Sequence, residues 1–159
     1  MTEQPPAELL RRLRPIPTYR DYPATTPCDI EGVTPQGDPC SLAIVESGEP
    51  VLLLFLSSHC AGCQDLWDGA DELRRALPDG LRIVVVTRGP ETEDASDIAA
   101  QAWPGTETVM STRAFADYRV SGPPFLVVVA ARMVRTEAVA WGIEETARAA
   151  RVGLDQPPQ

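Results

Sequence analysis

The stretch Val51-Leu52-Leu53-Leu54-Phe55-Leu56-Ser57-Ser58-His59-Cys60-Ala61-Gly62-Cys63-Gln64-Asp65-Leu66-Trp67 decides how the chain is read. Six apolar residues in a row, without polar alternation, suit a strand covered on both faces of a parallel or mixed sheet. Two serines and the chain's only histidine follow, and then two cysteines three apart open a segment with helical spacing. A strand that delivers a dithiol to a helix N-terminus favours thiol–disulfide exchange, because helix-end N–H groups and the macrodipole stabilise a thiolate.

Working outward, apolar Leu66, Ala70, Leu73 and Leu77 recur at steps of four, three and four among charged residues. This predicts one amphipathic helix from the cysteines to Pro78-Asp79-Gly80. Leu81 to Thr87 reads as a second buried strand, Thr92 to Trp103 as a helix with an acidic start, Thr106 to Met110 as a short strand and Thr112 to Tyr118 as a helical turn or two. Phe125 to Ala130 is a third apolar strand, turned at Ala131-Arg132 into Met133 to Trp141, and Ile143 to Val152 closes the domain as a helix. Upstream, Cys28 to Gly32 and Asp38 to Leu42 flank a Pro/Gly turn and predict a hairpin. That hairpin would set Cys28 and Cys40 on neighbouring strands, as a structural disulfide or as two free thiols.

Residues 1–27 hold six of the sixteen prolines and are expected to form an arm, with a short helix at Ala7 to Leu13 and then an extended run over the surface. Residues 28–154 form the single domain, and 155–159 a disordered tail. The formal net charge of −9 disfavours nucleic acid and anionic lipid as partners. Apolar runs of six or seven residues and a polar N-terminus predict no signal peptide and no membrane insertion. The expectation is a cytoplasmic monomer, or an extracytoplasmic protein if an N-terminal signal was removed. Four cysteines in 159 residues are too few for a disulfide-built scaffold.

Strand, Cys60-Ala61-Gly62-Cys63, helix, and then Val120-Ser121-Gly122-Pro123-Pro124-Phe125 before a β-hairpin and a last helix resemble the thioredoxin fold over roughly residues 48 to 154. The front hairpin and the extra helix and strand between about 91 and 110 resemble the TlpA/ResA-like thiol–disulfide oxidoreductases of the redoxin group. The resemblance implies an α/β three-layer sandwich, a central mixed β-sheet flanked by helices, with an N-terminal β-hairpin. It implies that Cys60 is the nucleophile, that Cys63 resolves the mixed disulfide, and that Pro124, in a cis peptide, faces the pair; beside it, Pro123 and His59 are read from their positions as part of the active-site wall. The substrate would be a disulfide-bearing protein or a small thiol compound, served by a separate electron donor. The dithiol is itself the redox centre, so neither cofactor nor metal is expected.

The chain departs from the family at four places. His59 stands where tryptophan is common, Ala61-Gly62 lacks the proline of thioredoxin, Leu54 occupies the place of a buried acid, and Pro123 has no N–H to offer a docked substrate strand. Rival readings are a metal-delivery module, with His59, Cys60, Cys63 and Cys28 or Cys40 as ligands, and a redox-inactive interaction protein. The metal reading lacks the second half of the usual ligand pattern. A peroxidase reading of Ser57-x-x-Cys60 lacks its upstream proline, with Leu53 in that place. Trp67, Trp103 and Trp141 are most simply structural, and Asp65 marks a solvated helix face.

Overall fold

The computed structural model describes residues 25–155. The predicted helix at Ala7 to Leu13, most of the arm and the last four residues lie outside that range. Among the described residues the elements are β1 (Ile30–Val33), β2 (Pro39–Leu42), β3 (Val51–Phe55), α1 (Ala61–Asp68), α2 (Ala70–Ala76), β4 (Arg82–Thr87), α3 (Ala95–Gln101), β5 (Glu107–Met110), α4 (Thr112–Asp117), β6 (Phe125–Ala130), β7 (Met133–Val139) and α5 (Gly142–Asp155).

All seven strands join one mixed sheet in the order β2-β1-β5-β4-β3-β6-β7. β3, β4 and β5 run parallel, which their helical crossovers allow, and β6 lies antiparallel against β3. β3 lies inside the sheet between β4 and β6, and all five of its residues are buried. Alternate side chains serve opposite faces. Leu52 and Leu54 join Leu66, Leu73, Ile98, Ala147 and Ala150 under α1, α2, α3 and α5. Val51, Leu53 and Phe55 join Ile44, Phe115 and Tyr118 on the face that α4 covers. Burying each such apolar side chain contributes about 1.5–3 kcal/mol, so both faces hold β3 where it presents the dithiol. The architecture is the expected thioredoxin-like α/β sandwich.

The expected single helix after the cysteines is two helices, broken at Gly69. A Cβ on Gly69 would come within 2.5 Å of Ile143 Cδ1 and 2.8 Å of the Asp65 carbonyl. The first turn of α5 presses on this point, and Gly69 N–H bonds back only three residues, to Leu66 (3.2 Å). The expected Thr92–Trp103 helix is shorter, because Asp94 caps it by accepting from Ser96 N–H at 2.8 Å and the preceding residues turn onto the Gly89 carbonyl.

The hairpin forms, but its register rules out a Cys28–Cys40 disulfide. Ile30 faces Leu42 and Gly32 faces Cys40, so Cys28 lies before β1, four positions along from the residue opposite Cys40. Four strand residues span roughly 13 Å, well beyond the Cα separation that a disulfide tolerates. Both are free thiols. Burial, then Asp117, pushes the Cys28 thiol up, and burial, then Glu107, does the same for Cys40. Among the described residues no helix is long and apolar enough to cross a membrane.

Candidate active site

Cys60 ends the loop from β3 and occupies the N-cap of α1 with extended backbone (φ −102°, ψ 119°). Its carbonyl accepts the first-turn bond from Cys63 N–H at 3.0 Å. That turn carries Cys63 inward, so the two thiols differ sharply: Cys60 is half-buried and Cys63 is fully buried. Burial, followed by the hydrogen bond to Cys60, pushes the Cys63 thiol up to about 12, against a lowering contribution from Ser57 N–H. The Cys60 thiol also lies 3.7 Å from the Pro123 carbonyl, to which it donates.

Pro123 and Pro124 form the wall opposite the pair, and the peptide bond between them is cis. Pro124 is tied to the end of β7 by its carbonyl, which accepts from Ala140 N–H at 3.1 Å. From the other side, Arg88 stacks 4.4 Å above the Phe115 ring and donates to the Ser121 carbonyl at 3.3 Å. His59 is exposed, and its Nε2 lies 3.6 Å from Asp97 Oδ2 on α3. The histidine flanking Cys60 is thus engaged with an acid across the mouth of the site.

Several residues that sequence reasoning left out of the site belong to it. Trp67 Nε1–H donates to the Ser57 carbonyl (2.9 Å) and Trp103 Nε1–H donates to the Trp67 carbonyl (3.1 Å), so two buried indoles hold the loop before the dithiol. The spacing of Trp67, one turn after Cys63, carried that signal. Ser58 Oγ donates to Glu93 Oε1 at 2.8 Å. Glu93 hides within the acidic run Glu91 to Asp97, where its neighbours Glu91, Asp94 and Asp97 are exposed and it alone is buried. Trp141, expected to be structural, is 62% exposed and lies over the Ala61-Gly62 turn: a Cβ on Gly62 would meet its Cζ3 at 2.8 Å and Pro124 Cγ and Cδ at 3.5 Å.

The imagined four-ligand metal set does not assemble. Cys28 lines a hollow with Asp29, Ser111 and Asp117, and Cys40 lines a separate one with Leu42, Trp103 and Thr108. Among the described residues no three His, Cys, Asp or Glu side chains are grouped to hold a metal ion.

No family model and no curated protein matches the chain. Solved structures do. A secreted Mycobacterium tuberculosis disulfide oxidoreductase homologous to E. coli DsbE is similar with a TM-score of 0.62 and 18% identity, over 77% of this chain and 94% of that one. A thiol:disulfide interchange protein of the thioredoxin family from Chlorobium tepidum is similar with a TM-score of 0.61 and 18% identity, over 84% and 99%. The peroxidoxin BcpB from Mycobacterium tuberculosis is similar with a TM-score of 0.60 and 18% identity, over 85% and 97%. The thioredoxin fold is shared across nearly the full length of each.

Proposed function

We propose that this protein is a thiol–disulfide oxidoreductase that works through the Cys60/Cys63 dithiol. One observation carries the reading: the two thiols are unequal, Cys60 half-buried at a helix start and Cys63 fully buried and held protonated. A partly accessible sulfur can reach a substrate disulfide, and a fully buried one can reach only its neighbour. Cys60 thiolate attacks one substrate sulfur, a Cys60–substrate disulfide forms, and the other substrate sulfur leaves as thiolate. Cys63 then attacks Cys60 Sγ, the mixed disulfide breaks, and the second substrate thiol departs, leaving Cys60–Cys63 oxidised. Two electrons have passed from the dithiol to the substrate, and a separate dithiol donor restores the reduced pair.

Pro123, Pro124 and His59 frame the entrance, and the exposed Trp141 indole beside them offers an apolar face to a disulfide-bearing chain or small molecule. The reading is tested by insulin reduction and by titration against a glutathione couple. Wild type is expected to exchange, Cys60→Ser to be inert, and Cys63→Ser to accumulate the mixed disulfide. A wild-type pair that neither oxidises nor exchanges overturns the reading.

A further inference from the structure

Large apolar side chains that are exposed number four among the described residues, and two of them, Val139 (43%) and Trp141 (62%), stand together at the dithiol. They flank Ala140, which is fully buried and anchored by its N–H to the Pro124 carbonyl at 3.1 Å. Val139 pairs across the hairpin with Phe125, the residue after Pro124, and Trp141 lies over Gly62. Together they make an apolar shelf on one flank of Cys60. Open aromatic surface continuous with a reactive centre suits the docking of a partner.

The other flank is charged. β3 delivers Cys60 with β4 on one side and β6, then β7, on the other. α3 follows β4 and carries Asp94 at its cap and Asp97 in its first turn, both exposed and three residues apart, hence neighbours on the helix surface. Asp97 reaches His59, the residue before Cys60, at 3.6 Å. Between the flanks stands Pro123, which has no N–H, and its carbonyl already accepts from the Cys60 thiol at 3.7 Å. A chain crossing the site finds little backbone to pair with there, so side chains must hold it.

We propose that the substrate is an extended polypeptide disulfide whose cysteine has an aromatic side chain two positions to one side, on the Val139/Trp141 shelf, and a lysine or arginine two positions to the other, at Asp94 and Asp97. This rests on Cys60 being the attacking thiol. From β4 to β7 is three strand spacings, about 14 Å, the length of some four extended residues. In an extended chain, side chains two positions apart share a face. A cysteine pointing at Cys60 therefore sends its second neighbours onto the shelf and the acids. The formal net charge of −9 also favours a cationic partner. A small disulfide reaches the sulfur without spanning both flanks.

The test is the reaction of reduced protein with 2,2′-dipyridyl disulfide and with short peptides whose central cysteine carries the same thiopyridyl group. Attack by Cys60 on the peptide sulfur forms the Cys60–peptide disulfide and releases chromophoric thiopyridone. Cys63 then attacks Cys60 and the peptide thiol departs, and dithiothreitol restores the pair. The peptides bear tryptophan and lysine, each two positions from the cysteine, in either order, with serine in place of tryptophan or glutamate in place of lysine as controls. In one order, kcat/KM is expected to exceed the serine control about fivefold and the glutamate control about threefold at low salt, the second gap closing at high salt. Trp141→Ala should remove the tryptophan preference and keep the lysine one. Asp94→Asn with Asp97→Asn, which retains a side-chain cap on α3, should do the converse. Each preference is a ratio within one protein, so a general loss of activity cancels. Should Trp141→Ala fold poorly, Val139→Ser reads the same ratio from the other end of the shelf. Peptides that react alike in wild type, or preferences that persist in these variants, overturn the substrate proposal alone. A wild type inert to 2,2′-dipyridyl disulfide overturns the oxidoreductase reading, and the proposal with it.

Discussion

The indole of Trp141 lies across Gly62: a Cβ on that glycine would sit 2.8 Å from Cζ3, so the residue between the cysteines is small because an aromatic ring covers it. Trp141 comes from the turn after β7 and Gly62 from the first turn of α1, and Pro124 closes the third side. Trp141→Ala is expected to lower kcat/KM for a protein disulfide roughly fivefold through KM, the size of one aromatic contact. Its stability should change little, because the side chain is 62% exposed. Gly62→Ala should displace the ring, and be tolerated better when combined with Trp141→Ala. Steady-state kinetics with tryptophan fluorescence check all three variants.

The buried Cys63 thiol makes the stability of the reduced protein fall at alkaline pH. Its ordinary value is 9.0 and in the fold it stands at about 12. Between those values the unfolded chain has released the proton and the native protein has kept it, so unfolding is favoured as pH rises. The loss is up to about 1.4 kcal/mol per pH unit. Tyr118, also pushed up by burial, adds a loss of the same sign. Denaturant unfolding under reducing conditions should change little between about pH 7 and pH 9 and decline above it, with a shallower decline in Cys63→Ala.

Tyr118 is fully buried, and its hydroxyl serves both backbone groups of Cys28, accepting from the N–H at 3.0 Å and donating to the carbonyl. Tyr118→Phe leaves those groups without their partner, at a cost of about 1–3 kcal/mol. The ring still packs at 5.8 Å from Phe55, so the fold should persist. A lowered Tm with an unchanged Cys60/Cys63 reduction potential is the expected outcome.

The β6–β7 hairpin turns on Ala131 (φ 51°) and Arg132 (φ 64°), two non-glycine residues in left-handed backbone. This turn favours Asn-Gly. Ala131→Asn with Arg132→Gly should stabilise by about 1 kcal/mol, relieving strain that each residue now bears. The gain is offset in part by loss of the weak Arg132 bond to the Glu46 carbonyl (3.5 Å). Thermal unfolding should show Tm higher by about 2–4 °C.

The sequence by itself determined the parts that depend on local pattern. The unbroken apolar run of β3, the Cys-x-x-Cys at a helix start and the proline pair before a hairpin are each written within a few neighbouring residues, so these three features were readable in order. Register and long-range contact were decided only in three dimensions. Cys28 and Cys40 could be read as a disulfide or as two free thiols until strand pairing set them about four residues out of step. The helix after Cys63 looked continuous until Ile143, more than seventy residues away, pressed on Gly69. Glu93 was one residue of an acidic helix start, and Trp141 read as most simply structural. Burial and exposure belong to the packed whole, because what a side chain faces depends on elements far along the chain. Folding therefore buried one carboxylate of an acidic run against the loop that precedes the dithiol, and laid a hairpin tryptophan over Gly62.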